Sequence, residues 1–191
     1  MDPAHLKPKN SSSREFWRFI FIVLFIILPL RLFVVQPFIV SGESMYPTFE
    51  NRDYLIVDAL SYKLENPKRG DVVIFKYPYD EKRYFIKRVI GIPGETVIVE
   101  GEKVTIINKE NPKGFTLEEN YIKFNNESRT EINLREDEFF VMGDNRPVSS
   151  DSRVWGPLEK EFIIGRPLVR LFPLSQATVF PGEIQEKIEN K

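Results

Sequence analysis

Apolar positions fall into two patterns along the chain. From Phe16 to Val35 they are almost unbroken, running from Phe19-Ile20-Phe21-Ile22-Val23-Leu24-Phe25-Ile26-Ile27-Leu28 through Pro29-Leu30-Arg31 into Leu32-Phe33-Val34-Val35. A helix apolar on every side is a poor fit to a core helix at the terminus of a small domain, and residues 16–35 supply the roughly twenty positions that one bilayer crossing needs. The stretch therefore predicts a transmembrane helix. Arg18 and Arg31 near its ends can snorkel to opposite headgroup layers, Trp17 suits an interface, and Pro29 is better tolerated in lipid than in water. It runs on into Gln36-Pro37-Phe38-Ile39-Val40 without a small-residue cleavage site, the pattern of an uncleaved signal anchor. Lys7, Lys9, Arg14 and Arg18 come before or at its start, which predicts a cytoplasmic tail over 1–15, a single pass through the cytoplasmic membrane, and an extracytoplasmic remainder.

Beyond Phe49 the apolar residues come in short runs instead. Tyr54–Val57, Asp71–Tyr77, Tyr84–Ile90, Thr96–Val99, Val104–Ile107, Glu138–Met142 and Phe162–Phe172 are rich in β-branched and aromatic residues and are bounded by Gly, Pro, Asn and Asp. Glu100-Gly101-Glu102-Lys103 reads as a hairpin turn, and a short helix is allowed between Asp58 and Leu64. Fourteen prolines and ten glycines punctuate these runs, which favours coiled antiparallel sheets over a βαβ fold. The fold class predicted is thus mainly β behind one N-terminal transmembrane helix. Residues 36–182 form the β-domain, with 108–137 an exposed polar insertion and 183–191 a charged tail.

Composition narrows the chemistry. A chain of 191 residues with 42% hydrophobic and 29% charged residues can bury a core. A net charge of -1 gives no reason to expect a nucleic-acid partner. There is no cysteine, which removes thiol nucleophiles, thiolate metal sites and disulfides together. The one histidine, His5, lies in the polar tail ahead of the apolar run, and no HExxH, P-loop or GxGxxG pattern is present. Serine chemistry here would need a base other than imidazole.

Three stretches carry candidate chemistry. In Val40-Ser41-Gly42-Glu43-Ser44-Met45-Tyr46-Pro47-Thr48-Phe49, a glycine and a proline hold Ser44 in a constrained turn, which presents a hydroxyl or is simply a turn. In Tyr84-Phe85-Ile86-Lys87-Arg88-Val89-Ile90, strand alternation puts Lys87 on one face with Phe85 and Val89. A lysine neutral at pH 7 must have its pKa brought down from about 10.4, at about 4.6 kcal/mol, which apolar burial can supply; the alternative is a side chain snorkelling at a sheet edge. The third stretch, Gly143-Asp144-Asn145-Arg146-Pro147-Val148-Ser149-Ser150-Asp151-Ser152-Arg153, is either a solvated turn or a braced loop able to place a hydroxyl on a buried amine.

Taken in order, Gly42-x-Ser44-Met45-x-Pro47-Thr48, Gly70-Asp71-Val72-Val73-Ile74-Phe75, Lys87-Arg88-Val89-Ile90-Gly91-Ile92-Pro93-Gly94-Glu95 and Gly143-Asp144-Asn145-Arg146 with Ser149, Asp151, Ser152 and Arg153 resemble the sequence boxes of bacterial type I signal peptidases. The resemblance covers the chain from Phe16 to about Phe172. It implies a membrane-bound serine endopeptidase that removes signal peptides from exported preproteins after small residues, at sites of the Ala-x-Ala type, with no metal or cofactor. Ser44 matches the nucleophile, Lys87 the general base, and Ser149 the hydroxyl that orients the lysine. Val40, Met45, Phe49, Phe85 and Ile86 match the pocket for small side chains. Asp144, Asn145, Arg146, Asp151 and Arg153 match structural loop residues. Some family members carry a serine where Gly42 stands, whose hydroxyl helps to hold the oxyanion; here Ser41 is the candidate for that role. A self-cleaving repressor-type peptidase shares the serine and lysine logic, but no N-terminal DNA-binding domain or internal Ala-Gly site is present. A catalytically idle, membrane-tethered binding domain would not need both Ser44 and Lys87.

Overall fold

The computed structural model describes residues 11–27, 35–119, 122 and 129–184. Helix α1 spans Ser11–Ile22 and passes into a π-helical turn at Val23–Ile27. This corrects the expectation of a transmembrane helix over 16–35, and with it the single-pass arrangement. At 1.5 Å per residue a helix of twelve residues extends only about 18 Å, and α1 spends its first turn on Ser11-Ser12-Ser13-Arg14. Among the described residues no helix is long and apolar enough to cross a membrane. Residues 28–34 of the expected span lie outside the described residues, as do the 1–10 part of the tail and residues 185–191. Phe16, Trp17, Phe19, Phe21 and Phe25 on the helical segment are exposed.

The rest is antiparallel β. Strand β1 (Val35–Ile39) leads through a long loop to β2 (Tyr54–Asp58), and helix α2 (Ser61–Leu64) follows. A hairpin of β3 (Val72–Tyr77) and the long β4 (Asp80–Gly91) comes next. Strands β5 (Thr96–Glu100), β6 (Lys103–Ile107), β7 (Phe115–Thr116) and β8 (Arg129–Asn133) make a separate four-stranded sheet in the order β7-β6-β5-β8. The chain then returns to the larger sheet with β9 (Glu138–Met142), helix α3 (Ser152–Trp155), β10 (Leu158–Glu159), β11 (Ile163–Phe172) and β12 (Thr178–Val179). Its order is β1-β2-β11-β3-β4-β9-β10, with β12 on β11. The short helix and each strand expected beyond Phe49 are found close to their expected positions. The 108–137 stretch contributes β7 and β8 to the smaller sheet.

Pro37, which lacks a ladder donor, is accommodated because β1 is an edge strand. Side chains alternate across the hairpin into different cores. Val73, Phe75 and Val89 join Phe139, Val141, Trp155 and Leu158 on one side. Val72 and Ile74 join Val40, Met45, Phe49, Leu55 and Val57 on the other. Ile90 and Met142 pack against the smaller sheet through Val97, Val99, Val104 and Ile106. Burying these aliphatic and aromatic side chains, at about 1.5–3 kcal/mol each, holds the two sheets as one scaffold around the end of the β4–β9 ladder.

Candidate active site

The β4–β9 ladder determines where the site forms. Its last pair is Arg88 with Met142, so the chain leaves the sheet at Gly143, beside Lys87. Across the other edge of β4, Lys87 is paired with Val73 of β3. An amine on a strand between apolar neighbours is largely shielded from bulk water, and Lys87 is only 3% exposed. Its Nζ lies 2.6 Å from Ser44 Oγ, donates to Ile86 O at 2.9 Å, and is 5.3 Å from the centroid of the Phe85 ring. Burial brings its pKa down to about 8 from 10.5, opposed by the carboxylates of Asp151 and Asp144.

Ser44 belongs to the loop between β1 and β2. Gly42 adopts φ +104°, a left-handed conformation that only glycine takes without strain. The turn closes through Tyr46 N–H to Glu43 O (3.1 Å) and Phe49 N–H to Met45 O (2.9 Å). The loop after β9 grips the Ser44 backbone directly: Asn145 N–H donates to Ser44 O at 3.0 Å and Asn145 Nδ2 to Glu43 O at 3.1 Å. A Cβ on Gly143 would lie 2.4 Å from Ser44 O and 2.3 Å from Ser149 Oγ, so nothing larger than glycine fits between them.

Asp151 is fully buried; it accepts from Gly143 N–H (3.1 Å) and takes both ends of a bidentate Arg153 guanidinium (2.8 Å each). Arg153 also donates to Arg146 O at 2.7 Å. Arg146 donates to Gly143 O at 3.2 Å and pairs with Glu119. The Ser149 hydroxyl is buried and has no hydrogen-bond partner among the described residues. Asp144 is buried as well. Both its oxygens accept from Arg88 (2.9 and 2.6 Å), and one also accepts from Thr48 Oγ1 at 2.6 Å.

A cleft of about 250 Å³ runs past the pair. Val40, Phe85 and Ile86 line it, together with Ser41, Gly42, Glu43, Val148 and Ser150. Met45 and Phe49, the other two pocket candidates, are buried in the core beneath. Among the described residues no cluster of His, Asp or Glu is arranged to hold a metal ion.

Sequence reasoning missed Arg88, Thr48 and Glu119. Arg88 carried a readable signal: on a strand with Ile86 and Ile90 on its own face, a guanidinium must find a buried counter-charge. Glu119 carried none, because nothing in a polar stretch singles out one glutamate.

A serine hydroxyl in hydrogen-bond reach of a buried, easily deprotonated lysine, open to an apolar cleft, defines a serine hydrolase that uses an amine in place of imidazole. The family model for signal peptidases, peptidase S26, matches residues 13–172, and the chain belongs to that family. It is 39% identical to signal peptidase I of Leptolyngbya laminosa over 184 residues, covering 91% of this chain and 87% of that one. It is 37% identical to the protein named Probable signal peptidase I-1 in Synechocystis sp., covering 88% and 90%, and 34% identical to signal peptidase I P of Bacillus subtilis subsp. natto, covering 89% and 95%. The chain is accordingly a serine endopeptidase of the signal peptidase I type, which removes N-terminal signal peptides by a serine/lysine dyad. Family membership also implies membrane association and preprotein substrates.

Proposed function

We propose that Ser44 is the nucleophile and Lys87 the general base of this endopeptidase, acting on preproteins after small residues. The observation that carries the reading is the 2.6 Å separation of Lys87 Nζ and Ser44 Oγ at a buried strand position. Neutral Lys87 takes the Ser44 proton as Oγ bonds to the carbonyl carbon, giving a tetrahedral oxyanion. The Ser44 N–H, which has no acceptor among the described residues, is one donor to that oxygen. Gly42 N–H is engaged by Asn51 Oδ1 at 3.2 Å, so the Ser41 hydroxyl at the cleft is the second. Lysinium returns the proton to the departing amine, and the same lysine then deprotonates the water that cleaves the ester and frees Ser44. Asp144, Asn145, Arg146, Asp151 and Arg153 hold the loop that fixes this geometry, and Ser149, whose buried hydroxyl has no other partner among the described residues, is the residue assigned to orient Lys87. Val40, Phe85 and Ile86 wall the cleft, with Met45 and Phe49 packed behind, leaving room for alanine-sized side chains.

Incubation of the full chain with a preprotein, followed by sequencing of the new N-terminus, tests the reading. Ser44→Ala and Lys87→Ala should each reduce cleavage by a factor on the order of 10³ or more while staying folded. Cleavage at the wild-type rate by either variant would refute it.

A further inference from the structure

Glu119 sits on the segment that leaves β7 and turns back from the smaller sheet. Leu117 N–H still bonds to Val104 O at 2.9 Å, and two residues later the Glu119 carboxylate accepts from Arg146 Nη2. Both side chains of this ion pair are buried, at 8% and 3% exposure. From Arg146 the contacts lead straight to the dyad. Arg146 Nε holds Gly143 O at 3.2 Å, and Gly143 is packed against both Ser44 O and Ser149 Oγ. Asn145, next in the chain, holds Ser44 O and Glu43 O. A guanidinium so deeply buried is stable only with its counter-charge in place, and losing it forces the side chain or water to move. The same turn is braced by Asp151 and Arg153, and by Arg88 and Thr48 through Asp144.

We propose that Glu119, carried in from the smaller sheet, is a positioning residue for the Ser44/Lys87 pair and acts through Arg146 on the turn Gly143–Arg146. This gives the smaller sheet a part in catalysis although it contributes no residue to the cleft, and it rests on the serine/lysine reading above. The consequence is specific. If the turn relaxes, water gains access to Lys87, and the negative charges of Asp151 and Asp144 already favour its protonated form. The alkaline rise in activity should then move to higher pH.

The experiment compares the full chain with Glu119→Gln, Glu119→Asp and, as an exposed neighbour, Glu118→Gln, measuring kcat and KM on a signal-peptide substrate from pH 6 to 10 together with the folded fraction. Glu119→Gln should lower kcat roughly tenfold at pH 7, leave KM within about twofold, and shift the midpoint of the pH profile upward by about half a unit or more. Glu119→Asp should recover part of both effects, and Glu118→Gln should change neither. A folded Glu119→Gln with the wild-type kcat and pH midpoint overturns the proposal, as does a loss of activity that merely tracks the folded fraction at an unmoved midpoint. Should Glu119→Gln fail to fold, Glu119→Asp decides: a folded variant with a raised midpoint supports the role, and one with the wild-type midpoint overturns it. A wild-type profile with no alkaline rise would instead remove the dyad reading itself, whatever the variants do.

Discussion

Lys87 bears a cost that its chemistry requires. Its pKa falls from 10.5 to about 8 on burial, so the native state binds this proton less tightly than the unfolded chain does. Between pH 8 and 10.5 the unfolded chain holds more protons, and stability rises with pH across that window; below pH 8 the full penalty of about 3 kcal/mol remains. Lys87→Met, which fills the same space without charge, should therefore abolish cleavage and yet raise stability at pH 7 by up to about 3 kcal/mol, a gain that shrinks above pH 8. Denaturant titration of both proteins at pH 7 and 10 measures it, and an equal difference at the two pH values would rule this origin out. Activity follows the same group: about a tenth of Lys87 is neutral at pH 7 and about half at pH 8, so kcat/KM should climb about fivefold between them and level off above about pH 9, roughly tenfold up. A stopped-assay profile from pH 6 to 10 that stays flat would contradict it.

At the scale of elements, the strands were legible because each needs only a short apolar run between turn formers, a pattern that one residue type after another repeats from Tyr54 to Phe172. The N-terminal run misled for the complementary reason: hydropathy counts apolar residues, whereas crossing depends on continuous helix, and here α1 stops at Ile22 and the ladder widens to a π-turn. Strand β1 was hidden inside the expected end of that helix and its sequel, Val35–Ile39. The turn after β9 was recognisable by its motif, but the reason for Gly143 was not, since its φ is unremarkable and only the approach of Ser44 O and Ser149 Oγ requires it. Gly143→Ala must push Ser44's carbonyl away by several tenths of an ångström. The expected result is a loss of kcat of roughly 10²-fold with a stability cost of about 1–3 kcal/mol, read from steady-state kinetics and thermal melts; unchanged kcat would mean the turn tolerates a methyl group.

On the scale of the whole molecule, residues far apart in sequence converge on one buried charge pair. Arg88, 1% exposed, binds both oxygens of Asp144 and donates as well to Gly70 O (2.8 Å) and Gly182 O (2.7 Å), while Thr48 joins Asp144 from the loop that carries Ser44. Four distant segments thus meet on the face of β4 opposite Lys87, so neighbouring residues of one strand serve chemistry on one side and assembly on the other. Pairwise reading of a sequence cannot find this junction, because Gly70 and Gly182 take part through carbonyls that every residue possesses. Removing one partner leaves the other charge unpaired in a dry site, so Arg88→Met should destabilise by about 3–5 kcal/mol. Replacing both charges by apolar side chains of similar volume, Arg88→Met with Asp144→Leu, should recover much of that loss, because no lone charge stays behind. Activity should not recover with it, since Thr48 has lost the carboxylate that ties Ser44's loop to β4. Denaturation midpoints and preprotein cleavage measured on the single and double variants separate the two roles; a double variant that regains stability and cleavage together would show that the pair only holds the fold.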